Sequence, residues 1–424
     1  MKQQYDSYKP SGIDWIGDIP SHWKIQRLKF GMNLINGRAY LQPELLSEGK
    51  YRILRVGNFF TNDSWYYSDM ELEDNKYCSK GDLLYAWSAS IGPYIWNEEK
   101  VIFHYHIWKV GLSGKMDKKY SFYLLDVITK VKLNDMHGSA MQHLTMENMN
   151  NSDIIVPPLA EQEAIAAWLD EKCGEIDAAI AKVDREIELI DELKQSEISR
   201  VVTRGLNPDT PLRPSGIDWI GDIPEHWTIR KTAQLFHGIG SGTTPTSGSN
   251  KYYCEDGINW LQTGDLNDGT ISDTSKKITT AALHDFSALK IYPQGSIVIA
   301  MYGATIGKLG KLNIETATNQ ACCVLPYSNE IDNDFAFYVF RAGKRTLINS
   351  AYGGGQPNIS QDTIKSFKLA LPPLSEQQAI ADYLDKKCAE MDGLKAKLTK
   401  KRETLKELRQ SIISEVVTGK RKVI

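Results

Sequence analysis

The sequence predicts an α/β protein: two mixed α/β domains joined by two long antiparallel coiled-coil helices in a pseudo-twofold circular arrangement. Three observations predict it. A helical stretch that opens Pro157-Pro158-Leu159-Ala160-Glu161-Gln162 and runs to Arg204 returns as Pro372-Pro373-Leu374-Ser375-Glu376-Gln377, running to Gly419. A second repeat, Pro10-Ser11-Gly12-Ile13-Asp14-Trp15-Ile16-Gly17-Asp18-Ile19-Pro20-Ser21-His22-Trp23, reappears from Pro214 to Trp227, differing only where Glu225 replaces Ser21. The order of the two repeats is that of a circle cut once. Val201-Val202-Thr203-Arg204-Gly205 leads into the second Pro-Ser-Gly-Ile-Asp-Trp segment, whereas Val416-Val417-Thr418-Gly419 ends near the C-terminus and the first such segment lies near the N-terminus. That order places the two ends of the chain side by side. The implied divisions are 1–156, a first globular domain; 157–206, a central helix; 207–371, a second globular domain; and 372–424, a C-terminal helix.

Taken in order, the Pro10–Trp23 segment is punctuated into turns by glycine and proline, with paired Trp and Ile side chains to bury. It reads best as a packing clasp. The first domain follows, with strand-like runs Tyr51–Val56, Asp82–Trp87 and Val101–Trp108 and a helical stretch near Lys119–Lys132. In the first long helix Leu169, Cys173, Ile176, Ile180, Val183, Ile187 and Ile190 recur in steps of four and three, a coiled-coil seam. A helix from Ala160 to Thr203 would span about 66 Å at about 1.5 Å per residue. The second clasp leads into a domain with runs Gly257–Gln262, Gly295–Ala300 and Ala321–Leu325 and a helical stretch at Asn333–Asn349. In the last helix Leu384, Cys388, Met391, Leu398, Leu405 and Ile412 keep the seam. Lys395, Arg402 and Arg409 stand where the first helix has Ile180, Ile187 and Lys194, so this seam is weaker alone. From Glu161 to Arg204 there are 12 acidic and 6 basic residues, and from Glu376 to Lys422 there are 8 acidic and 12 basic. Opposite charge predicts that the two helices pair with each other.

Composition excludes several classes. At 424 residues, 42% hydrophobic and 24% charged, the chain suits two or three ordinary domains. No apolar run is long enough for a membrane helix, and Met1–Asp6 lacks a signal-peptide core, so a cytoplasmic location is expected. Cys78, Cys173, Cys254, Cys322, Cys323 and Cys388 form neither a Cys-x-x-Cys pair nor a zinc spacing and read as reduced thiols. A net charge of -3 argues against nucleic-acid binding by bulk electrostatics alone. Gly303-Ala304-Thr305-Ile306-Gly307-Lys308 has too short a glycine spacing, and Leu309 in place of Ser or Thr, for a phosphate loop. Gly238-Ile239-Gly240-Ser241-Gly242 does not match a dinucleotide fingerprint. Asp82 with Glu98-Glu99-Lys100 is too loose a set for a nuclease. No Asn/Asp-Pro-Pro-Tyr/Phe methyltransferase tetrad occurs. The chain reads as a non-enzyme.

The two domains align loosely. Asp82–Gly92 faces Ser296–Gly307, and His104-Tyr105-His106 faces Asn319-Gln320-Ala321, one scaffold with different surface residues. The paired Pro-Pro-Leu-x-Glu-Gln openings, the paired clasps, and Ser241-Gly242-Thr243-Thr244-Pro245 with Ala317-Thr318-Asn319-Gln320 together resemble the specificity subunit of type I restriction-modification systems. The resemblance covers essentially the whole chain. It implies two target recognition domains, each reading one half of a split site in double-stranded DNA, separated by helices that set half-site spacing and dock two methyltransferase subunits. It also implies that the chain itself carries no cofactor. S-adenosylmethionine would sit on the partner methyltransferase subunits, and ATP and magnesium on restriction subunits where these are present. Two competing readings are an enzyme in its own right and a coiled-coil assembly protein without DNA readout.

Base readout needs donors and acceptors that reach base edges. In the first domain the candidates are Arg38 and Tyr40 after Asn36-Gly37, Arg55 and Asn58 after a strand, Trp87 and Ser88, and His104 and His106. Alternation would also put the two histidines on one strand face as core or turn residues. In the second domain they are Thr243, Thr244, Gln262, Thr263, Asp265, Tyr302, Thr305, Lys308, Asn319, Gln320 and Gln356. Lys24–Pro157 holds 16 basic and 15 acidic residues, Thr228–Pro372 13 and 11. Neither domain is a basic clamp, so weak DNA binding by the isolated chain is expected.

Overall fold

The computed structural model describes residues 4–60, 62–135, 144–351 and 358–423. It divides into two compact units, Met1–Asp184 with Lys400–Ile424, and Arg185–Thr399.

In the first unit an antiparallel sheet orders the strands Met32–Asn36, Ile107–Leu112, Leu83–Ala86 and Gly92–Ile95. A second sheet orders Tyr66–Ser68, Tyr51–Leu54, Val101–Phe103 and Tyr77–Cys78, with Tyr51–Leu54 and Val101–Phe103 parallel. Leu84, Ala86 and Ile107 from one sheet and Leu54, Cys78 and Phe103 from the other share a core. On its other face the first sheet packs Leu83, Tyr85, Trp108 and Val110 against the helix Lys118–Asp135 and the start of the long helix Leu159–Arg204. This is the two-sided burial that strands with continuous apolar runs require.

The expected run Val101–Trp108 is not one strand. The chain turns at His104–His106, where Ile107 N donates to His104 O at 2.9 Å, and resumes as Ile107–Leu112 in the other sheet. The two histidines therefore sit on a turn joining two sheets, not on a strand face.

The second unit repeats the central strands and differs at the sheet edges. One sheet orders Gly269–Ile271, Leu309–Leu312, Ile297–Ala300 and Cys322–Leu325; the other orders Tyr253–Cys254, Lys277–Ile278, Ile258–Leu261 and Ala317–Thr318, the last two parallel. The helix Asn333–Asn349 buries Phe335, Phe340 and Leu347 beside Ile297 and Ile299. The stretch Gly303–Lys308 links two strands of one sheet and opens no helix, which removes the last resemblance to a phosphate loop.

The repeated motifs are fasteners. Each clasp is a hairpin, Tyr8–Pro10 with Asp18–Pro20 and Leu212–Pro214 with Asp222–Pro224, whose tryptophan is buried: Trp23 is 0% and Trp227 1% exposed. His22 Nε2 meets Glu161 Oε2 at 2.8 Å in one unit, and His226 Nε2 meets Glu376 Oε2 at 2.9 Å in the other. Gln162 Oε1 accepts from Asp117 N at 2.9 Å while its Nε2 donates to Pro157 O and Lys115 O. Gln377 does the same to Asp332 N and Pro372 O, both at 2.8 Å. Thus the Glu of Pro-Pro-Leu-x-Glu-Gln holds the clasp, and the Gln splints the long helix to the loop before the domain's own helix. In the first unit the ends of the chain meet as the circular order requires, with Tyr8 Oη donating to Gly419 O.

The long helices, Leu159–Arg204 and Leu374–Val417, pair antiparallel. In the first unit Asp177 meets Arg409 and Asp184 meets Arg402, so seven residues up one helix match seven down the other. In the second unit Asp191 meets Lys395 and Lys194 meets Asp392, three up against three down. The basic residues that interrupt the second seam are thus the cross-helix partners of aspartates on the first, which is how opposite charge selects the pairing. Leu169, Cys173, Ile176, Val183, Leu384, Cys388 and Met391 are buried as the spacing predicts. Near the end of the last helix burial falls on Ile413, Val416 and Val417, while Ile412 is only half-buried, because the helix there packs onto the first domain. Among the described residues no helix is long and apolar enough to cross a membrane.

Candidate nucleic-acid interface

At one end of each domain, where strands leave the sheets, four short segments are stitched together by backbone hydrogen bonds. In the first domain His104 N donates to Leu54 O at 2.9 Å, which sets the turn 104–106 against Arg55. Arg38 N donates to Phe103 O at 3.1 Å and Tyr105 N returns to Arg38 O at 2.9 Å. Trp87 N donates to His106 O at 3.1 Å. The second domain repeats two of these bonds, Asn319 N to Leu261 O at 3.0 Å and Met301 N to Ala321 O at 2.8 Å, and in place of the Arg38 pair has Gly242 N donating to the Thr318 side-chain hydroxyl at 3.1 Å. A Cβ on Gly37 would collide with the carbonyls of Phe103 and His104, and one on Gly242 with that of Thr318, so both glycines are forced by close backbone approach. Position by position, Arg38 corresponds to Thr243, Arg55 to Gln262, Asn58 to Asp265, and His104 to Asn319.

On the first frame the chemistry is aromatic and basic. Tyr40 stacks on His104 with ring centres 6.3 Å apart, and the Arg38 guanidinium lies 5.0 Å from the Tyr40 ring. His106 lies 4.7 Å from His104, 4.0 Å from Tyr105 and 5.0 Å from Trp87 by ring centres. Burial, with His106 and Arg55 adding like charge, pushes His104 down to about 4, and burial and Arg55 lower His106 as well. At neutral pH His104 is therefore a neutral donor and acceptor. Arg55 is exposed. Several candidates are spent internally. The Arg38 fork binds Glu44 through two bonds of 2.9 and 2.7 Å, and that pairing with the Leu41 amide holds the Glu44 carboxyl down to about 2. Asn58 accepts from Arg55 N and donates to Asn62 O and Ser64 O, fixing its own turn. Ser88 precedes Ala89, which holds φ 62°, a left-handed conformation, where the corresponding Gly303 has φ 83°.

On the second frame hydroxyls and amides dominate. Thr244 Oγ1 donates to Gln320 Oε1 at 2.6 Å, Thr243 O accepts from Trp260 Nε1, and exposed Gln320 crowns the turn. Gln262, Thr263 and Asp265 form one tight turn braced by Gln262 N to Asp265 Oδ2 at 2.8 Å and Ser275 N to Asp265 Oδ1 at 3.1 Å. Asn319 Oδ1 accepts from Ala321 N. Tyr302, Thr305 and Lys308 share the loop between Ile297–Ala300 and Leu309–Leu312, closed by Lys308 N to Thr305 O. Gln356 lies outside the described residues; its neighbour Asn358 bridges Tyr302. The structure thus brings the remaining candidates of each domain to one end of that domain. Tyr105, between the two histidines of the turn, shares the first face, and nothing in its local sequence sets it apart from a strand residue.

A model of the type I restriction modification DNA specificity domain matches residues 20–188 and again 224–401. The chain belongs to that family. It is 25% identical to the MjaVIII specificity subunit of Methanocaldococcus jannaschii, across 96% of this chain and 94% of the relative. It is 21% identical to the EcoBI specificity subunit of Escherichia coli, across 96% and 88%. A chain from a solved structure on complex assembly and conformational transition of the type I R-M system superposes with a TM-score of 0.70, 17% identity, and coverage of 94% and 98%. The two matches to the DNA specificity domain coincide with the duplication seen in the fold, so each four-segment face lies on one family domain. Among the described residues no group of His, Cys, Asp and Glu is placed to hold a metal ion.

Proposed function

We propose that this specificity subunit reads a bipartite site in duplex DNA, the first domain one half and the second domain the other, and performs no catalysis itself. The observation that carries this reading is the shared frame with unlike side chains: His104 and Arg55 in one domain, Asn319 and Gln262 at the same places in the other. Phosphate contacts only position a protein, while the donor and acceptor pattern of side chains at base edges distinguishes sequences, so two unlike faces select two unlike half-sites. The paired helices act as a spacer between the half-sites, and the clasp and helix openings, repeated almost verbatim, offer equivalent surfaces to two copies of a methyltransferase subunit. Those partners would supply S-adenosylmethionine and much of the phosphate grip, given how nearly neutral both domains are. Restriction subunits, where present, would bring ATP and magnesium.

The test is a base-resolution methylation map of cells producing this chain with its cognate methyltransferase subunit, against cells producing that subunit alone. A split motif with a fixed gap, present only with this chain, supports the reading; exchange of residues 228–371 should then alter one half only. An intact complex without a chain-dependent motif would leave a coiled-coil assembly protein.

A further inference from the structure

In the first domain the loop Arg38–Leu45 presents one large apolar side chain to solvent. Leu41 is 72% exposed. Its neighbours are anchored: Tyr40 and Leu45 pack on the cluster of Ile53, Tyr77 and Ile102. The backbone is fixed on both sides of it. Leu41 N donates to Glu44 Oε2 at 2.8 Å, Glu44 N returns to Leu41 O at 2.9 Å, Arg38 clamps the same carboxylate twice, and Pro43 sits in the following tight turn. This loop spends its only guanidinium on its own brace and carries an exposed leucine on a braced backbone, next in the chain to Tyr40, which stacks on His104. A backbone held in place before binding loses little entropy on contact. An apolar group that faces base edges finds one apolar partner there, the 5-methyl of thymine.

We propose that Leu41 is a specificity-determining residue that contacts the 5-methyl group of a thymine in the half-site read by the first domain. The inference rests on the DNA-reading function above and deepens it.

The experiment uses the assembled complex with its methyltransferase subunits and duplexes carrying the mapped motif, in which each thymine is replaced singly by deoxyuridine. Loss of one buried methyl is worth about fourfold in affinity. The expected result is one first-half position where deoxyuridine weakens the wild-type complex about fourfold, with no further loss when the chain carries L41A. Substitutions in the second half-site should cost both proteins equally. L41M, which keeps an apolar tip, should retain the discrimination. Equal deoxyuridine effects in wild type and L41A, a first half-site with no A·T pair, or an L41A defect in assembly without DNA would each overturn the proposal. So would a rise in 2-aminopurine fluorescence at a step beside Leu41 without deoxyuridine dependence, because that marks a wedge between bases. Failure of the function itself is separate: it appears as absence of any chain-dependent motif before a duplex is made.

Discussion

The two candidate faces differ in where their rigidity comes from. In the first domain rings and charges lock one another, Tyr40 on His104, His104 on His106, and Arg38 on Glu44. In the second, shorter polar groups do the work, Thr244 on Gln320 and Asp265 on the Gln262 amide. Beneath both lie the same two backbone bonds, His104 N to Leu54 O with Asn319 N to Leu261 O, and Trp87 N to His106 O with Met301 N to Ala321 O. The duplicated fold therefore keeps two junctions of this face in place through main-chain contacts, and the side chains above them diverge.

The strongest way to break the comparison is to attack what the domains share. Gly37→Ala and Gly242→Ala each force a Cβ into a carbonyl, and each should cost its own domain about 3 kcal/mol or more, read by chemical denaturation. A benign effect at either site would mean that the two frames are not equivalent. Next come the splints. Gln162→Ala and Gln377→Ala leave buried backbone groups without partners and should each cost about 2 kcal/mol, with parallel losses in Tm of the two domains.

The third prediction separates the faces. His104 titrates near 4 in the folded chain and near 6.5 when unfolded, so between these values the unfolded state binds more protons. Its contribution is complete above about pH 6.5 and is lost as pH falls through 4. Linkage between these values amounts to about 2.4 kcal/mol from pH 7 to 4.5, and solvent screening of a half-buried ring brings the expected loss in the first domain to about 1 kcal/mol, which His104→Asn spares, since the second domain carries Asn319 there. Unchanged acid sensitivity in that variant would show that the histidine is solvated. The smallest effect concerns the strained loop: Ala89→Gly should stabilise the first domain by about 0.5–1 kcal/mol, and Gly303→Ala, which meets no neighbour, should destabilise the second by a similar amount. Opposite shifts of the two melting transitions are the sign to look for.

The repeats, the seam and the domain helices were legible because their signals are local: fixed heptad steps, a proline pair before each long helix, and near-identical clasps. The break at His104–His106 was not. Val101–Trp108 is rich in β-branched and aromatic residues without Gly or Pro, and only the jump between sheets, a long-range fact, turns it. The candidate faces were legible as a set, since they follow strand ends, yet the fates of individual side chains were hidden. Arg38 is spent on Glu44 six residues away, and Asn58 on its own turn, whereas Leu41 carried no polar flag.

Every partner of Gln162 and Gln377 in the splints is a main-chain atom. Such a fastening senses the path of a peptide but not the sequence that follows it. Any domain that brings one amide to the same place can be mounted on the helix opening, the first adding the Lys115 carbonyl as well. The glutamines make the rod a socket of general fit, and domains could be exchanged during evolution as whole parts without renegotiating the joint.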